Sequence, residues 1–523
     1  MLQPVLYLTN SINYRSILPT VAVLWLIAST LRNHIRLRKL PPGPKGIPLL
    51  GNIFQIPTQL PWIRFYEMSK VYGPIISFNV AGHPVIVLNN NKSAFDLLDR
   101  RSTIYSHKPR FIMAGDLLSG GIMMSFISYG GLFRRLRRAT HDTFGPHGSE
   151  QFQPLQEKEA VLLASELTAN PDSWEELIKR STASNILTAT YGWPRINDTY
   201  MPLVKRIHAH TARLANASIP GSSMVDLFPF LNHLPLWMSA WKSDALAWHK
   251  RESEMFESFN AEVEKKMKTG DVKHCFVSDL IENEEKFELS KKEAAWLSGI
   301  MFSAGAETTS ASIANFLIAM IHHPDIMRKA QTEIDNVVGR DRVPTFADRP
   351  HLPYIRALVR ELLRWRPAGP LGIPKRAAED DWYNGYFIPK GATVISNIWA
   401  IDRDPSIYSD PESFIPERHL DRTGTKDISP PEMHSLGHVS FGFGRRTCVG
   451  VTFASQSLFI NFAMLLWAFD IEKACDDQGN ELIPSLTDVI DAGVVVGPAP
   501  FQCRLIPRYP DINVVLERAK ADY

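Results

Sequence analysis

Residues 441–450 read FGFGRRTCVG, from Phe441 through Arg445, Arg446 and Cys448 to Gly450, and no other stretch of the 523-residue chain constrains its chemistry as tightly. One cysteine sits in a glycine-rich loop beside two arginines. Gly442, Gly444 and Gly450 permit φ values that a side chain would forbid and let backbone N–H groups approach the sulfur. Donors and cations around a thiol favour the thiolate, the form that ligates a metal. A plain glycine-rich turn around a buried cysteine is the alternative, and the rest of the chain decides between the two.

Cys275, Cys475 and Cys503 are sparse and irregularly spaced, which speaks against a disulfide framework and against a zinc module of paired CxxC motifs. The net charge of +2 gives no reason to expect nucleic-acid binding. Residues 17–31, ILPTVAVLWLIASTL, carry no formal charge and run directly into Arg32, Arg36, Arg38 and Lys39. This pattern predicts a membrane anchor closed by a basic stop. At 15 residues the run is shorter than the ~20 a spanning helix usually needs, so a thin bilayer or snorkelling arginines must help. A cleaved secretory signal is the competing reading, and the basic cluster disfavours it. The positive-inside rule makes 1–16 a short lumenal tail and places everything after Arg32 in the cytosol, so the sequons at Asn91, Asn197 and Asn216 are expected to stay unmodified. Residues 32–52 form a basic and proline-rich hinge. Its second part, PPGPKGIPLLGN at 41–52, excludes a continuing helix and predicts a stiff spacer.

From residue 53 to 523 the pattern is mostly long amphipathic helical stretches, with strand-like runs near 75–89 and 382–398 and no repeat or second linker. A single large domain, mainly α with small β-sheets, is the expectation. No GxGxxG follows a strand and opens a helix, so no nicotinamide or flavin site is expected. Ser290-Lys-Lys-Glu293 is a capping box, and the chain stays helix-compatible from there until Pro324, which predicts one long helix. Its middle reads Ala304-Gly305-Ala306-Glu307-Thr308-Thr309. A mid-helix glycine costs ~1 kcal/mol relative to alanine, and threonines there can bond back to carbonyls. An acid beside an alcohol in an apolar segment needs partners, so the string predicts a groove, or else a glutamate facing a basic neighbour. Glu361-Leu-Leu-Arg364 sets a carboxylate and a guanidinium at i, i+3, which alone contributes only ~0.2–0.5 kcal/mol. His208, His210, His322 and His323 lack metal-ligand spacing such as HExxH.

Taken together, Phe441-x-x-Gly444-x-Arg446-x-Cys448-x-Gly450, the Ala304 to Thr309 string, Glu361-x-x-Arg364 with Phe414-Ile-Pro-Glu-Arg418-His-Leu420, and the proline hinge resemble the cytochrome P450 family, in particular microsomal, fungal-type haem-thiolate monooxygenases. The resemblance runs from Pro41 to Cys448 and implies that family's single, mainly helical domain behind the anchor. It implies that Cys448 is the axial ligand of a haem b iron, and that Arg446, Arg137, Lys375, Phe441, Gly444 and Gly450 help to bind the haem. Thr308 would hydrogen-bond bound dioxygen, Glu307 would relay protons, and Gly305 would make room above the haem. Glu361, Arg364 and Arg418 would form a buried structural triad. Two positions depart from the usual pattern. Phe133 stands where a tryptophan is usual, four residues before Arg137, and Lys375 stands where histidine is frequent.

Analogy with the family also places pocket walls at Met123, Met124, Phe126, Phe302, Leu371 and Val494, all apolar. The implied activity inserts one atom of dioxygen into a hydrophobic small molecule. Its electrons would come from NADPH through a separate flavoprotein reductase, with cytochrome b5 as a second donor; Arg134, Arg135 and Arg138 are either a solvated basic helix face or docking residues for the reductase. No reductase domain is expected within the chain. The implied location is the endoplasmic reticulum membrane, single-pass, in contact with membrane lipid. Secondary-metabolite tailoring and xenobiotic oxidation are the implied roles. A haem-thiolate isomerase or dehydratase and a catalytically silent haem protein are the competing classes, and the Glu307-Thr308 pair counts against both.

Overall fold

Prolines, capping boxes and glycines punctuate the chain into the elements that build the site. The computed structural model describes residues 39–48, 50–196, 201–219, 221–271, 273–430 and 433–523. The expected tail at 1–16, the apolar segment at 17–31, residues 32–38 of the hinge and the sequon at Asn197 lie outside the described residues. Helix α1 (Pro61–Tyr72) begins with a proline, whose missing N–H is no loss in a first turn. Strands β1 (Ile75–Val80) and β2 (His83–Leu88) form a hairpin closed by Ala81 and Gly82, both at positive φ, as a two-residue turn between twisted strands requires. Helices α2 (Gly131–Phe144), α3 (Gln153–Ala169), α4 (Trp174–Tyr191), α5 (Met201–Ser218) and α6 (Ala240–Thr269) lead to the long α7 (Lys291–His322) and then α8 (Pro353–Trp365).

Strands β3 (Lys375–Arg376) and β4 (Thr393–Ser396) extend the hairpin into a four-stranded sheet of order β1-β2-β4-β3, with β2 and β4 parallel. Helix α9 (Val451–Ala468) follows the cysteine loop, and β5 (Phe469–Cys475), β6 (Val489–Asp491), β7 (Val496–Pro498) and β8 (Cys503–Pro507) complete the small sheets: β6 pairs with β7, and β5 with β8. Residues 41–52 dock on this framework. Proline leaves its carbonyl free while offering no N–H, and the Pro42 carbonyl accepts from Ser77 N at 2.9 Å while the Pro41 carbonyl accepts from Ser77 Oγ.

The largest core cluster joins α3, α4, α7, α8 and α9, and Phe316 of α7 stacks on Phe462 of α9 with ring centroids 4.0 Å apart. Among the described residues α9 is the helix long and apolar enough to cross a membrane, and it is mostly buried in this core. Helix α7 is capped as its sequence predicts: Glu293 N donates to Ser290 Oγ at 3.2 Å and Ser290 N to the Glu293 carboxylate at 2.8 Å. Its 32 residues give it a length of about 48 Å.

Two glycines let neighbours come close to α7. A Cβ on Gly299 would lie 2.5 Å from the Phe256 ring of α6, and one on Gly305 would lie 2.7 Å from Ile186 of α4. The expectation that Gly305 opens space over a haem is therefore corrected: the space beside it is filled by Ile186. Gly305→Ala gains ~1 kcal/mol of helix propensity but overpacks the α4 contact at a cost of ~1–3 kcal/mol, so thermal unfolding should show net destabilisation. In an Ile186→Ala background the same substitution should stabilise. The same sign in both backgrounds contradicts the packing role.

Candidate active site

The cysteine loop is built by two left-handed residues and one cross-bond. Gly442 and Gly444 have φ of +78° and +58°, and a Cβ on Gly444 would strike the Leu98 carbonyl oxygen at 2.3 Å. Gly450 differs from expectation, with an ordinary φ of −86°. Its N–H donates to the sulfur of Cys448, and Cys448 N donates to the Phe441 carbonyl at 2.9 Å. The Cys448 side chain is exposed although protein surrounds it, so its sulfur faces an internal cleft. Burial pushes the thiol above its ordinary value, while the Gly450 N–H and Arg137 pull it down without cancelling the rise. In the loop by itself burial therefore outweighs the donors that favour the anion. Coordination to a metal cation is what deprotonates such a group outright.

Four cations surround this loop. Arg446 donates to the carbonyls of Ser106 at 2.8 Å, Met124 at 3.2 Å and Ile127 at 2.7 Å, and its guanidinium lies 3.7 Å from the centroid of Phe133. A phenyl ring at 133 therefore offers Arg446 a π face where an indole would also have offered a donor. Arg137 donates to the Thr447 carbonyl and so holds the loop backbone directly. Lys375 is buried on β3 with Nζ 3.3 Å from the Phe443 carbonyl. Lys108, unnoticed in the sequence, is buried beside it and donates to the Ile373 and Pro374 carbonyls, each at 3.0 Å.

None of these four forms an ion pair with a carboxylate among the described residues. Burial pushes Lys375 down to about 7, with Arg446 adding to the fall and Asp99 opposing it; burial, then Arg446 and Lys375, pushes Lys108 well down. Buried cations without an anion are uphill. Their arrangement beside a metal-binding sulfur fits a group that brings both a metal and carboxylates, as haem does through its iron and propionates. Phe441 packs against the main core and Phe443 is fully buried, so both serve as walls of the loop.

Across α7 lies a mostly apolar cavity of about 350 Å³. From Ala304 to Ala314, both on its wall, the helix advances about 15 Å, so the cavity is elongated. Met123, Phe126 and Val494 line it, together with Glu307 and Thr308 of α7. Met124, Phe302 and Leu371 do not, which corrects the predicted walls: Met124 and Phe302 pack into the cluster around Phe111 and Trp296, and Leu371 packs against the cluster of Phe65 and Ile395. Leu214 and Ala215 of α5 and Phe501 complete the wall, and no local spacing marked them. Thr308 Oγ1 donates back to the Ala304 carbonyl at 2.8 Å. His210 is buried, with Nδ1 3.1 Å from the Glu252 carboxylate.

Beneath the loop, Glu361 and Arg364 are fully buried and form a two-point pair, both bonds at 2.7 Å. Arg418 Nε reaches the same carboxylate at 3.2 Å, and Ile415 N at 2.8 Å. A fourth side chain, His419, was missed: its Nε2 lies 3.0 Å from Glu361 Oε2. Burial alone would raise the Glu361 carboxyl, but the hydrogen bonds from Arg364 and His419 outweigh it and hold the group at about 2. All five N–H groups of Arg364 are used, the remaining three on the carbonyls of Asp402, Pro411 and Ser413.

Residues 41–504 match the family model described as Cytochrome P450. Cytochrome P450 monooxygenase 58 of Postia placenta is 52% identical over 477 residues, covering 91% of this chain and 90% of that protein. A cytochrome P450 monooxygenase of Armillaria gallica is 43% identical over 503 residues, covering 96% and 97%. A zebrafish cytochrome P450 solved with abiraterone superposes with a TM-score of 0.69 at 24% identity, over 86% of this chain and all of that one, which establishes the fold. The chain belongs to the cytochrome P450 family.

Three outcomes are expected. Glu361→Ala should cost about 3–5 kcal/mol, because it strands buried cations, and should yield protein without haem. Since the folded carboxyl lies below its ordinary 4.5, the stability it supplies is complete above that pH and is lost as the pH falls from 4.5 towards about 2; Glu361→Gln should flatten the acid limb of a stability-pH profile. Lys375→Met should have opposite effects on two forms: haem-free protein gains about 1–4 kcal/mol in chemical unfolding, while haem retention falls. Loss of stability in the haem-free form would contradict the unpartnered-cation reading.

Proposed function

We propose that this cytochrome P450 monooxygenase inserts one atom of dioxygen into an elongated, hydrophobic small molecule, with Cys448 as the axial ligand of a haem b. The observation that carries the reading is the cysteine loop flanked by Lys108, Arg137, Lys375 and Arg446, which among the described residues have no carboxylate partner. Haem, when bound, supplies dioxygen binding and reductive O–O cleavage, which a thiolate ligand favours. No CxxCH motif is present to attach the group covalently, which supports haem b. Lys108, Lys375 and Arg446 would face its carboxylates, and Arg137 would hold the backbone of the ligand loop.

The remaining chemistry that the chain must supply is protons, orientation and dryness. Reduction of the second oxygen atom to water consumes two protons. Thr308 Oγ1 donates to the Ala304 carbonyl and keeps lone pairs with which to accept a proton, and the half-buried Glu307 beside it lines the same cavity. Those two residues hold and pass the protons. The apolar walls at Met123, Phe126 and Val494 exclude water and orient the substrate. Retention of an acid and an alcohol on this wall disfavours the isomerase and the silent haem protein.

Electrons come from NADPH through a flavoprotein reductase, with cytochrome b5 as a second donor. Arg134 and Arg445, both exposed and both stacked at Tyr129, supply a basic surface on the cysteine side. The domain sits at the cytosolic face of the endoplasmic reticulum, anchored by residues 17–31. Exposed Phe230, Trp237 and Met238 give it an apolar surface of its own for membrane lipid. Tailoring of secondary metabolites or oxidation of foreign compounds both suit such a pocket.

With reductase and a turned-over substrate, the product should carry label from ¹⁸O₂. Thr308→Ala should keep consuming NADPH while product per NADPH falls by about tenfold or more, and Thr308→Ser should recover most of it. Equal coupling in wild type and Thr308→Ala would contradict the proton role.

A further inference from the structure

Asp402 is fully buried at the C-terminal end of the short helix Ile398–Ile401 that follows β4, and the proposed activity leaves it without a task. Its carboxyl Oδ1 accepts from Val439 N at 2.9 Å, and Oδ2 lies 3.3 Å from Ser440 Oγ. Its backbone carbonyl accepts from Arg364 Nη1 at 2.8 Å. One residue thus links the Glu361–Arg364 pair to the two residues that precede the cysteine loop. Val439 also closes that loop's base, because Gly442 N donates to its carbonyl at 2.8 Å, and Phe441 next to them receives Cys448 N.

Among the described residues no cation forms a hydrogen bond or ion pair with this carboxyl. Arg364 has spent all five of its N–H groups elsewhere, as counted above. Arg403 points away, with Nε on Glu412 at 3.0 Å, Nη2 on the Trp365 carbonyl at 2.7 Å and its plane 3.4 Å from the Trp399 ring centroid. Tyr408 gives its hydroxyl proton to the Gly437 carbonyl. His438 is held neutral, chiefly by burial, and its Nδ1 faces Ser440 N. Ser440 has one hydroxyl proton and donates it to the Leu363 carbonyl at 2.6 Å. Oδ2 is therefore left facing the lone pairs of Ser440 Oγ, a clash of acceptors unless Oδ2 carries a proton of its own. Burial also pushes the Asp402 carboxyl up to about 7, against the pull of Val439 N–H, the two arginines and the Ser440 hydroxyl.

We propose that Asp402 is a positioning residue for iron ligation: a neutral carboxylic acid that accepts from Val439 N, donates to Ser440 Oγ, and so transmits the rigidity of the Glu361–Arg364 pair to the backbone that presents Cys448. The inference rests on Cys448 being the haem ligand. It places no charge next to the loop, in contrast to the charged pair behind it.

The test compares full-length wild type with Asp402→Asn, Asp402→Ala and Ser440→Ala. The readouts are haem bound per protein and the fraction of ferrous carbon monoxide complex with thiolate-type absorption. Asparagine offers the same acceptor and donor as the neutral acid, so Asp402→Asn should match wild type within about twofold, whereas Asp402→Ala, which orphans two buried groups, should lower the thiolate-type fraction about fivefold or more. Ser440→Ala, a milder loss, should lower it in the same direction at unchanged helical content, and keeps the test decisive where Asp402→Ala does not accumulate. Asparagine as damaging as alanine would mean a charge is required and overturns the proposal. Wild-type behaviour of Asp402→Ala or of Ser440→Ala overturns it also. A wild type without thiolate-type absorption overturns the ligand assignment itself, a failure distinct from those of the variants.

Discussion

A carboxylate with no access to water stays ionised only if donors replace the water it lost, and Glu361 meets that demand from four places along the chain: Arg364, Ile415, Arg418 and His419. The requirement orders the structure around it. Arg364, once paired, uses its other N–H groups to tie down Asp402, Pro411 and Ser413, so the segment leading to the cysteine loop is fastened to α8 at several points. The net worth of such a pair to folding is small when desolvation is counted, but losing one partner is expensive. Its value here is geometric: it converts a buried electrostatic demand into a fixed backbone.

The opposite imbalance prevails above that platform. Lys108, Arg137, Lys375 and Arg446 crowd the loop with no carboxylate paired to them among the described residues, and the thiol of Cys448 is itself pushed towards its neutral form by burial. A site with surplus positive charge and a reluctant thiol is poorly built as it stands and well built for a metal that brings anionic groups. The two halves divide the work: paired charge sets the position of the loop, and unpaired charge sets what the loop accepts.

Much of this was legible in the chain because it depends on short spacings. The capping box at Ser290 and Glu293, the Glu361–Arg364 pair and the glycines on either side of Phe443 are local devices, and each forms as its spacing demands. What was not legible depends on neighbours distant in sequence. Lys108 and His419 join their clusters only through tertiary packing, and Gly305 serves Ile186, a partner no motif contains. The balance at Cys448 is likewise not local: neighbouring donors pull the thiol down, and the surrounding burial, invisible in a ten-residue window, pushes it up. Of the walls that family analogy named, Met123, Phe126 and Val494 line the cavity, whereas whether Phe302 or Leu371 faces the cavity or the core is set by helix rotation and sheet packing.

The carbon monoxide difference spectrum of the reduced protein tests the central assignment most directly, taken on wild type and Cys448→Ala side by side. A thiolate-type band in the wild type that is absent from the variant is the predicted result. A histidine-type band in the wild type, or a thiolate-type band that survives the loss of Cys448, would contradict it.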